Sequence, residues 1–487
     1  MNMKKRNGIH GKNTQASNPV NQNPDRPVIV CLSSLFATDR MLLYTTFLDR
    51  LQAAADPLIV SDAVKEAAFP QSHPHRARFQ SVALPAAFPY RYTLARHFET
   101  WLWDHRGLSQ SRESFWRLKK AAESPRWQRA MRSLARPFSH LGIENRCENA
   151  LAESLIRRAA PARAIEWLRS VRASALLVMY PFMERQMVMT AAARRLGLPV
   201  VAFITSWDNL STKARMLFQY DAYLVWSEEM KRELQAFYPQ SRTRPIEIVG
   251  APQYDVFFRD EYRLSREAFL SSYGLDPARP TILYCLGSPN MIREDFGARD
   301  FVARALADPA RAHWQIIVRP HPGFGTAADS QLDAIRDRHP NVVIQDSNRH
   351  WQQFPVQSEG AIAEWVNTVR HADVVIQLAS TMAIDAALFD RPVINLDFDP
   401  QPGGPNQQMV REVNRRWNHF APITRSGGLL PVQSIEEMIA ATEQYLRTPD
   451  LHRAERRWIV DFVCGPADGQ AGRRMAEAML SAVASCQ

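Results

Sequence analysis

Cysteine is scarce. Five residues, Cys31, Cys147, Cys285, Cys464 and Cys486, are scattered over 487 positions, odd in number and without a Cys-x-x-Cys pair. That pattern argues against a disulfide framework or a zinc site and fits a reducing compartment. Long apolar runs are missing as well: no window approaches the roughly 20 apolar residues that a membrane-spanning helix needs. Lys4-Lys5-Arg6 is followed by no apolar stretch, so no secretory signal is expected. These absences predict a cytoplasmic protein, with peripheral contact at the inner face of a membrane left open by its charge.

What is present is ample material for a core. Hydrophobic residues make up 46% and aromatics 10% of the chain, and the length suits two domains. The net charge of +10 is uneven. Between Arg91 and Arg172 there are 17 basic and 8 acidic residues, a net +9. This segment shows no strand pattern and reads as a helical insert. Its apolar positions include Trp101, Trp103, Phe115, Trp116, Trp127, Met131 and Leu134. Arg112, Arg117, Lys119, Lys120, Arg126, Arg129, Arg132 and Arg136 cluster about its middle. Such a face suits a membrane surface or an anionic acceptor, or it is a solvated cover over packed helices. No nucleic-acid signature accompanies it, so nucleic acid is not an expected partner.

Residues 1–26 are polar, with almost nothing to bury, and read as a disordered tail. From Pro27 the chain alternates apolar strands and amphipathic helices. Pro27–Leu32 leads into Ser33-Ser34 and a helix through Leu51, and Leu58–Val60 is a second strand. Phe69–Pro89 is Pro-rich and reads as loop, His73-Pro74-His75 included. After the insert come strands at Ala175–Tyr180, Pro199–Ile204, Ala222–Trp226 and Ile246–Val249. Gly250-Ala251-Pro252 then marks a boundary. A second series follows: Thr281–Leu286, Trp314–Val318, Val342–Ile344, the run after Asp373, and Pro392–Leu396. The fold class predicted is α/β, with two doubly wound, Rossmann-like domains facing a cleft and the helical insert in the first. The first domain spans 27–250 and the second 251–465, and residues 466–487 supply a last helix expected to pack back on the first domain. Ligands in such folds lie beyond the carboxyl ends of the strands.

One stretch carries a specific possibility. Asp373 opens an apolar run that ends at Ser380-Thr381, where a helix begins. Asp385 lies one turn later, on the same face. Hydroxyls and free N–H groups at that turn could take phosphate and the acid a ribose, or the stretch is an ordinary capped helix.

Together these pieces resemble the nucleotide-binding half of GT-B glycosyltransferases. More narrowly, they resemble the branch that includes CDP-glycerol glycerophosphotransferases and capsule-type transferases. Ile282-Leu283-Tyr284 before Gly287, Val318-Arg319-Pro320-His321-Pro322, Ala372 to Asp385 with Arg391–Ile394, and Asp468-Gly469-Gln470-Ala471 carry the likeness. In the first half, Trp207-Asp208-Asn209-Leu210 stands where that branch has Trp-His-Gly-Thr, so Asp208 replaces a catalytic His. The resemblance implies Asp208 as base, Arg319, His321, Ser380, Thr381 and Ser288 at the donor phosphates, and Asp385 at the ribose. Ser33, Ser34, Lys213 and Asn290 fall on the acceptor side or in the cleft. No metal and no cofactor is expected; the nucleotide-activated sugar is a co-substrate. Asp397-Phe398-Asp399 reads as a surface loop.

The activity implied is sugar transfer from a nucleotide donor to a glycan or lipid-linked acceptor, in bacterial-type capsule or lipopolysaccharide synthesis. Alternatives are a CDP-glycerol-type polyol-phosphate transferase, a sugar-nucleotide epimerase of the same fold, and a non-catalytic scaffold.

Overall fold

Apolar runs buried on both faces build two separate parallel sheets. The structure is a computed structural model that describes residues 26–486, apart from 34–35, 67–68, 84, 86, 214, 289–290, 322–328 and 346–356. The expected tail, except Arg26, and the sites Ser34 and Asn290 therefore lie outside the described residues. The first sheet contains β1 (Val28–Leu32), β2 (Asp56–Val60), β3 (Phe79–Gln80), β4 (Ala173–Val178), β5 (Val200–Phe203), β6 (Ala222–Val225) and β7 (Ile246–Ile248). The second contains β8 (Thr281–Cys285), β9 (Gln315–Arg319), β10 (Val342–Ile344), β11 (Val374–Gln377), β12 (Val393–Leu396) and β13 (Leu430–Val432).

The strand orders are β3-β2-β1-β4-β5-β6-β7 and β10-β9-β8-β11-β12-β13. Every pairing is parallel. Each sheet reverses its winding once, between β1 and β4 and between β8 and β11, which opens a crevice at the strands' carboxyl ends. Both halves are thus doubly wound. β1, β8 and β11 are fully buried, as strands sandwiched between helices require.

Some elements differ from the sequence reading. The helix expected through Leu51 is two, Phe36–Leu43 and Phe47–Ala54. Thr45 separates them: its Oγ1 donates to the Met41 carbonyl at 2.6 Å and accepts the Phe47 N–H at 3.2 Å, a local bond that competes with continuing the helix. β3 lies within the stretch read as loop, as a two-residue edge paired with Ile59 and Val60. β13 and the helices Gln407–Arg416 and Phe420–Arg425 are not in the sequence reading; two of them are very short, and Gln407–Arg416 has only Met409, Val410 and Val413 as its apolar stripe.

The insert is helical, from Tyr90–Asp104 through Ala162–Ser170. Trp101, Leu102 and Ala135 form a small core of their own. Arg215, only 1% exposed, fastens the insert to the first sheet. It donates to Glu99 (3.2 Å) and the Phe237 carbonyl (2.8 Å), bonds Glu148, and lies over the Trp103 and Tyr238 rings. The last helix, Ala471–Ala484, follows the second sheet but lies against the helix Phe47–Ala54 of the first half, where Arg50 pairs with Glu477 at 3.1 Å. Asp255 accepts the N–H groups of Ala471 and Gly472 at 3.1 and 2.7 Å.

Removing Arg215 leaves two carboxylates buried without their cation. Arg215→Ala should destabilise the protein by about 3–5 kcal/mol, read as a fall in the thermal unfolding midpoint. An unchanged midpoint would remove this anchor from the account.

Candidate functional site

The loops at the carboxyl ends of the two sheets meet around a cavity of about 400 Å³. From the first sheet, the segment after β5 brings Trp207, Asp208, Thr212 and Lys213. From the second, the segment after β8 brings Gly287 and Ser288, β9 leads to His321, and β11 leads to Leu378–Thr381. Ser111 and Phe115 of the insert and Trp417, His419 and Phe420 complete the lining. A smaller cavity of about 270 Å³ shares His321, Ser380 and Thr381 and extends to Arg319, Asp385, Arg40 and Trp365. Asp208, Lys213, Ser288, His321, Ser380 and Thr381 are therefore brought together, while Arg319 and Asp385 sit next door. Ser33 lines neither cavity; it is buried, with its hydroxyl 2.6 Å from Thr38.

Asp208 precedes a single helical turn, Asn209–Thr212. Its Oδ1 accepts from Ser206 Oγ (2.5 Å) and Asn209 Nδ2 (3.2 Å), and its Oδ2 from Thr212 Oγ1 (2.9 Å). Burial pushes its carboxyl up, but Lys213, His419 and these hydroxyls outweigh it and hold Asp208 below its ordinary range. It is an ionised, well-anchored carboxylate.

His419, unmarked in the sequence, stands beside it. Burial drives its imidazole down to about 4 against the pull of Asp208, so it is neutral at physiological pH. Ser211 Oγ donates to the Asp208 carbonyl at 3.3 Å and lies 3.3 Å from His419 Nδ1. A hydroxyl donating to the carbonyl can accept from Nδ1–H, and in that tautomer Nε2 is the nitrogen free to take a proton. The Trp207 ring meets His419 edge-on at 5.0 Å.

On the opposite wall, Ala379 adopts φ 46°, a left-handed backbone uncommon for a residue with a Cβ. Its N–H donates to Asn395 Oδ1 at 3.1 Å, and the turn sets Ser380 and Thr381 at the head of the helix Met382–Leu388. Ser380 Oγ accepts the Met382 N–H at 3.3 Å. His321 is half-buried, and burial lowers its imidazole's proton affinity. Glu294, 1% exposed, accepts the Gly287 N–H, and its Oε1 has no partner among the described residues. Burial raises its carboxyl well above the usual range, which favours the neutral form.

In the smaller cavity Asp385 is 3% exposed and takes the Trp365 indole N–H at 2.7 Å, while the nearby Tyr254 hydroxyl has no hydrogen-bond partner among the described residues. Burial raises Asp385 to about 6. A ribose contact at Oδ2 would compete with the Trp365 donor. Arg40 covers the Trp365 ring at 4.3 Å, and Arg319 donates to Gln345 at 2.7 Å. Asp399, in the Asp-x-Asp sequence, accepts the N–H groups of Gln401 and Asn406 at 3.0 and 2.6 Å, a loop-holding role. Among the described residues no group of three His, Cys, Asp or Glu is placed to hold a metal ion.

No family model matches the chain, and no curated protein does. Solved structures do. S. aureus MnaA with UDP aligns at TM-score 0.54 and 10% identity, covering 93% of this chain and 96% of that one. A Listeria monocytogenes protein assigned as a UDP-N-acetylglucosamine 2-epimerase aligns at 0.53 and 11%, covering 94% and 96%. The Neisseria meningitidis UDP-GlcNAc 2-epimerase bound to UDP-GlcNAc aligns at 0.51 and 10%, covering 93% and 100%. The two facing Rossmann-like domains are thus the GT-B arrangement expected from the sequence.

His419 has a pH signature. Its folded-state pKa lies below the ordinary value near 6.5, so the unfolded chain takes up the proton first. Its contribution to stability is intact above about pH 6.5 and is lost as pH falls toward 4. Asp385 acts with the opposite sign: with its pKa raised to about 6, ionisation there costs stability as pH rises from 3.8. Imidazole NMR should place the His419 midpoint near pH 4; a midpoint near 6.5 would refute its sequestration.

Proposed function

We propose that this protein is a nucleotide-sugar enzyme that transfers the sugar to an acceptor hydroxyl, on a glycan or a lipid-linked carrier, in surface-polysaccharide synthesis. The observation that carries this reading is the division of one cavity into two chemically different walls. Hydroxyls and a His, from Ser288, His321, Ser380 and Thr381, stand on the second sheet; an ionised carboxylate beside a neutral imidazole, Asp208 and His419, is presented against them.

Transfer from a nucleotide diphosphate needs a proton acceptor for the attacking hydroxyl and donors for the leaving phosphate. In this reading His419 Nε2 takes the proton and Asp208 stabilises the imidazolium that forms. At about pKa 4 the imidazole is a weak base by itself. A diphosphate entering the cavity adds negative charge nearby and raises its proton affinity, which couples base strength to donor occupancy. Ser288, His321, Ser380 and Thr381 hold the diphosphate, with Arg319 behind them. Glu294, in its neutral form, adds a donor on that wall. Trp207, Phe115, Trp417 and Phe420 give the sugar apolar surfaces.

The second reading is a sugar-nucleotide epimerase, favoured by the fold neighbours assigned that activity. The insert weighs against it, since Ser111 and Phe115 extend the cavity lining beyond the donor side. An epimerase needs no acceptor.

A thermal-shift screen of UDP-, GDP- and CDP-linked compounds identifies the donor. With it, Asp208→Asn and His419→Ala should each cut turnover by ~100-fold or more while leaving donor affinity nearly unchanged. Thr381→Ala and His321→Ala should weaken donor binding by ~5–10-fold in calorimetry. Undiminished turnover in the first pair removes the assigned base. A donor whose sugar changes configuration with no acceptor present establishes the epimerase.

A further inference from the structure

The insert carries a helix whose outward face is left open by the described residues. Arg126–Ala135 continues into a tighter turn, Arg136–Leu141. Its inner side is fixed: Arg132, 7% exposed, bonds Asp104 at 2.8 Å and stacks over the Trp116 ring at 4.4 Å, and Ala135 is buried. The other side is apolar yet open. Trp127, Met131, Leu134, Phe138 and Leu141 recur at intervals of four and three, the spacing of one helical stripe. They are 43%, 37%, 60%, 45% and 64% exposed. Among the described residues only Phe138 has an aromatic neighbour, Phe98 at 6.3 Å.

We propose that this stripe docks on an anionic lipid surface. Charge selects that occupant. From Arg117 to Arg136 the chain holds seven basic residues and a single acid, Glu123. Arg126, Arg129 and Arg136 are exposed on the same segment and form no ion pair among the described residues. An apolar stripe edged by arginines fits acyl chains below and lipid phosphates beside it. A second copy of this chain is disfavoured, because a symmetric contact would bring like arginines together. The stripe is also tied to the cleft. Asp104 holds both Arg132 and Arg112, and Arg112 donates to the Lys213 carbonyl beside Asp208. Docking there places the acceptor side of the cavity near the lipid surface, whatever bond is made in it.

The test is flotation of the full-length chain with vesicles of equal phosphatidylethanolamine and phosphatidylglycerol, against phosphatidylcholine vesicles. The protein should float with the anionic vesicles alone and be released by high salt. Trp127→Glu with Leu134→Glu should cut the bound fraction by about tenfold or more. Both positions are exposed, so circular dichroism and the thermal midpoint should not move. Arg126→Glu with Arg129→Glu should do the same through charge. Absence of wild-type flotation, or equal flotation by the folded glutamate variants, overturns the proposal. So does a wild-type dimer that the Trp127/Leu134 variant converts to monomer without any vesicle binding, since the stripe then joins two copies.

Discussion

One buried carboxylate, Asp104, holds the insert in register with the cleft. It receives Arg112 through two bonds, at 2.6 and 3.1 Å, and Arg132 at 2.8 Å. Taking these charges out of water is costly unless every lone pair is used; here both oxygens are used. Burial raises the Asp104 carboxyl, but the two guanidiniums, Arg112 first, bring it below its ordinary range. From this point the helix Gln110–Phe115 runs along the cavity and meets the second sheet's elements. Ser111 exchanges bonds with Asn418, and Ser114 and Arg117 reach Glu412. The insert thus closes one side of the cleft.

The chemistry of the cavity depends on how charge is distributed under that cover. Asp208 is kept ionised by Lys213 and three hydrogen-bond donors, His419 is kept neutral, and burial shifts Glu294 toward its neutral form. Three ionisable groups in one cavity are pushed apart by their surroundings, a pattern that separates acid, base and stabilising roles. The same surroundings leave room for an anion to change the balance, because added negative charge favours His419 protonation while Asp208 stays a carboxylate.

Much of the fold was legible because parallel sheets write themselves locally. Val374–Ile376 and Ile282–Leu286 are unbroken apolar runs that lead into polar turns, and Asp208, His321, Ser380 and Thr381 sit at such ends. What lay hidden was long-range. His419 follows a polar helix, Gln407–Arg416, whose period points to nothing by itself, and it becomes interesting only because Ser211, 208 positions earlier, lies 3.3 Å away. Asp385 looked open on its helix face, yet it is enclosed by Trp365 and Tyr254, which reach it from other elements. Trp127 and Trp101 look alike in the sequence, but one is 43% and the other 6% exposed, since burial depends on which helices cross them.

The central claim, that the shared wall of the two cavities receives a nucleoside diphosphate, is tested most directly by a crystal structure with the nucleotide that stabilises the protein best. The account predicts its phosphates within hydrogen-bond distance of His321, Ser380 and Thr381, with the sugar-bearing end directed toward Asp208 and His419. A nucleotide bound elsewhere, or phosphates turned away from Ser380 and Thr381, would contradict it.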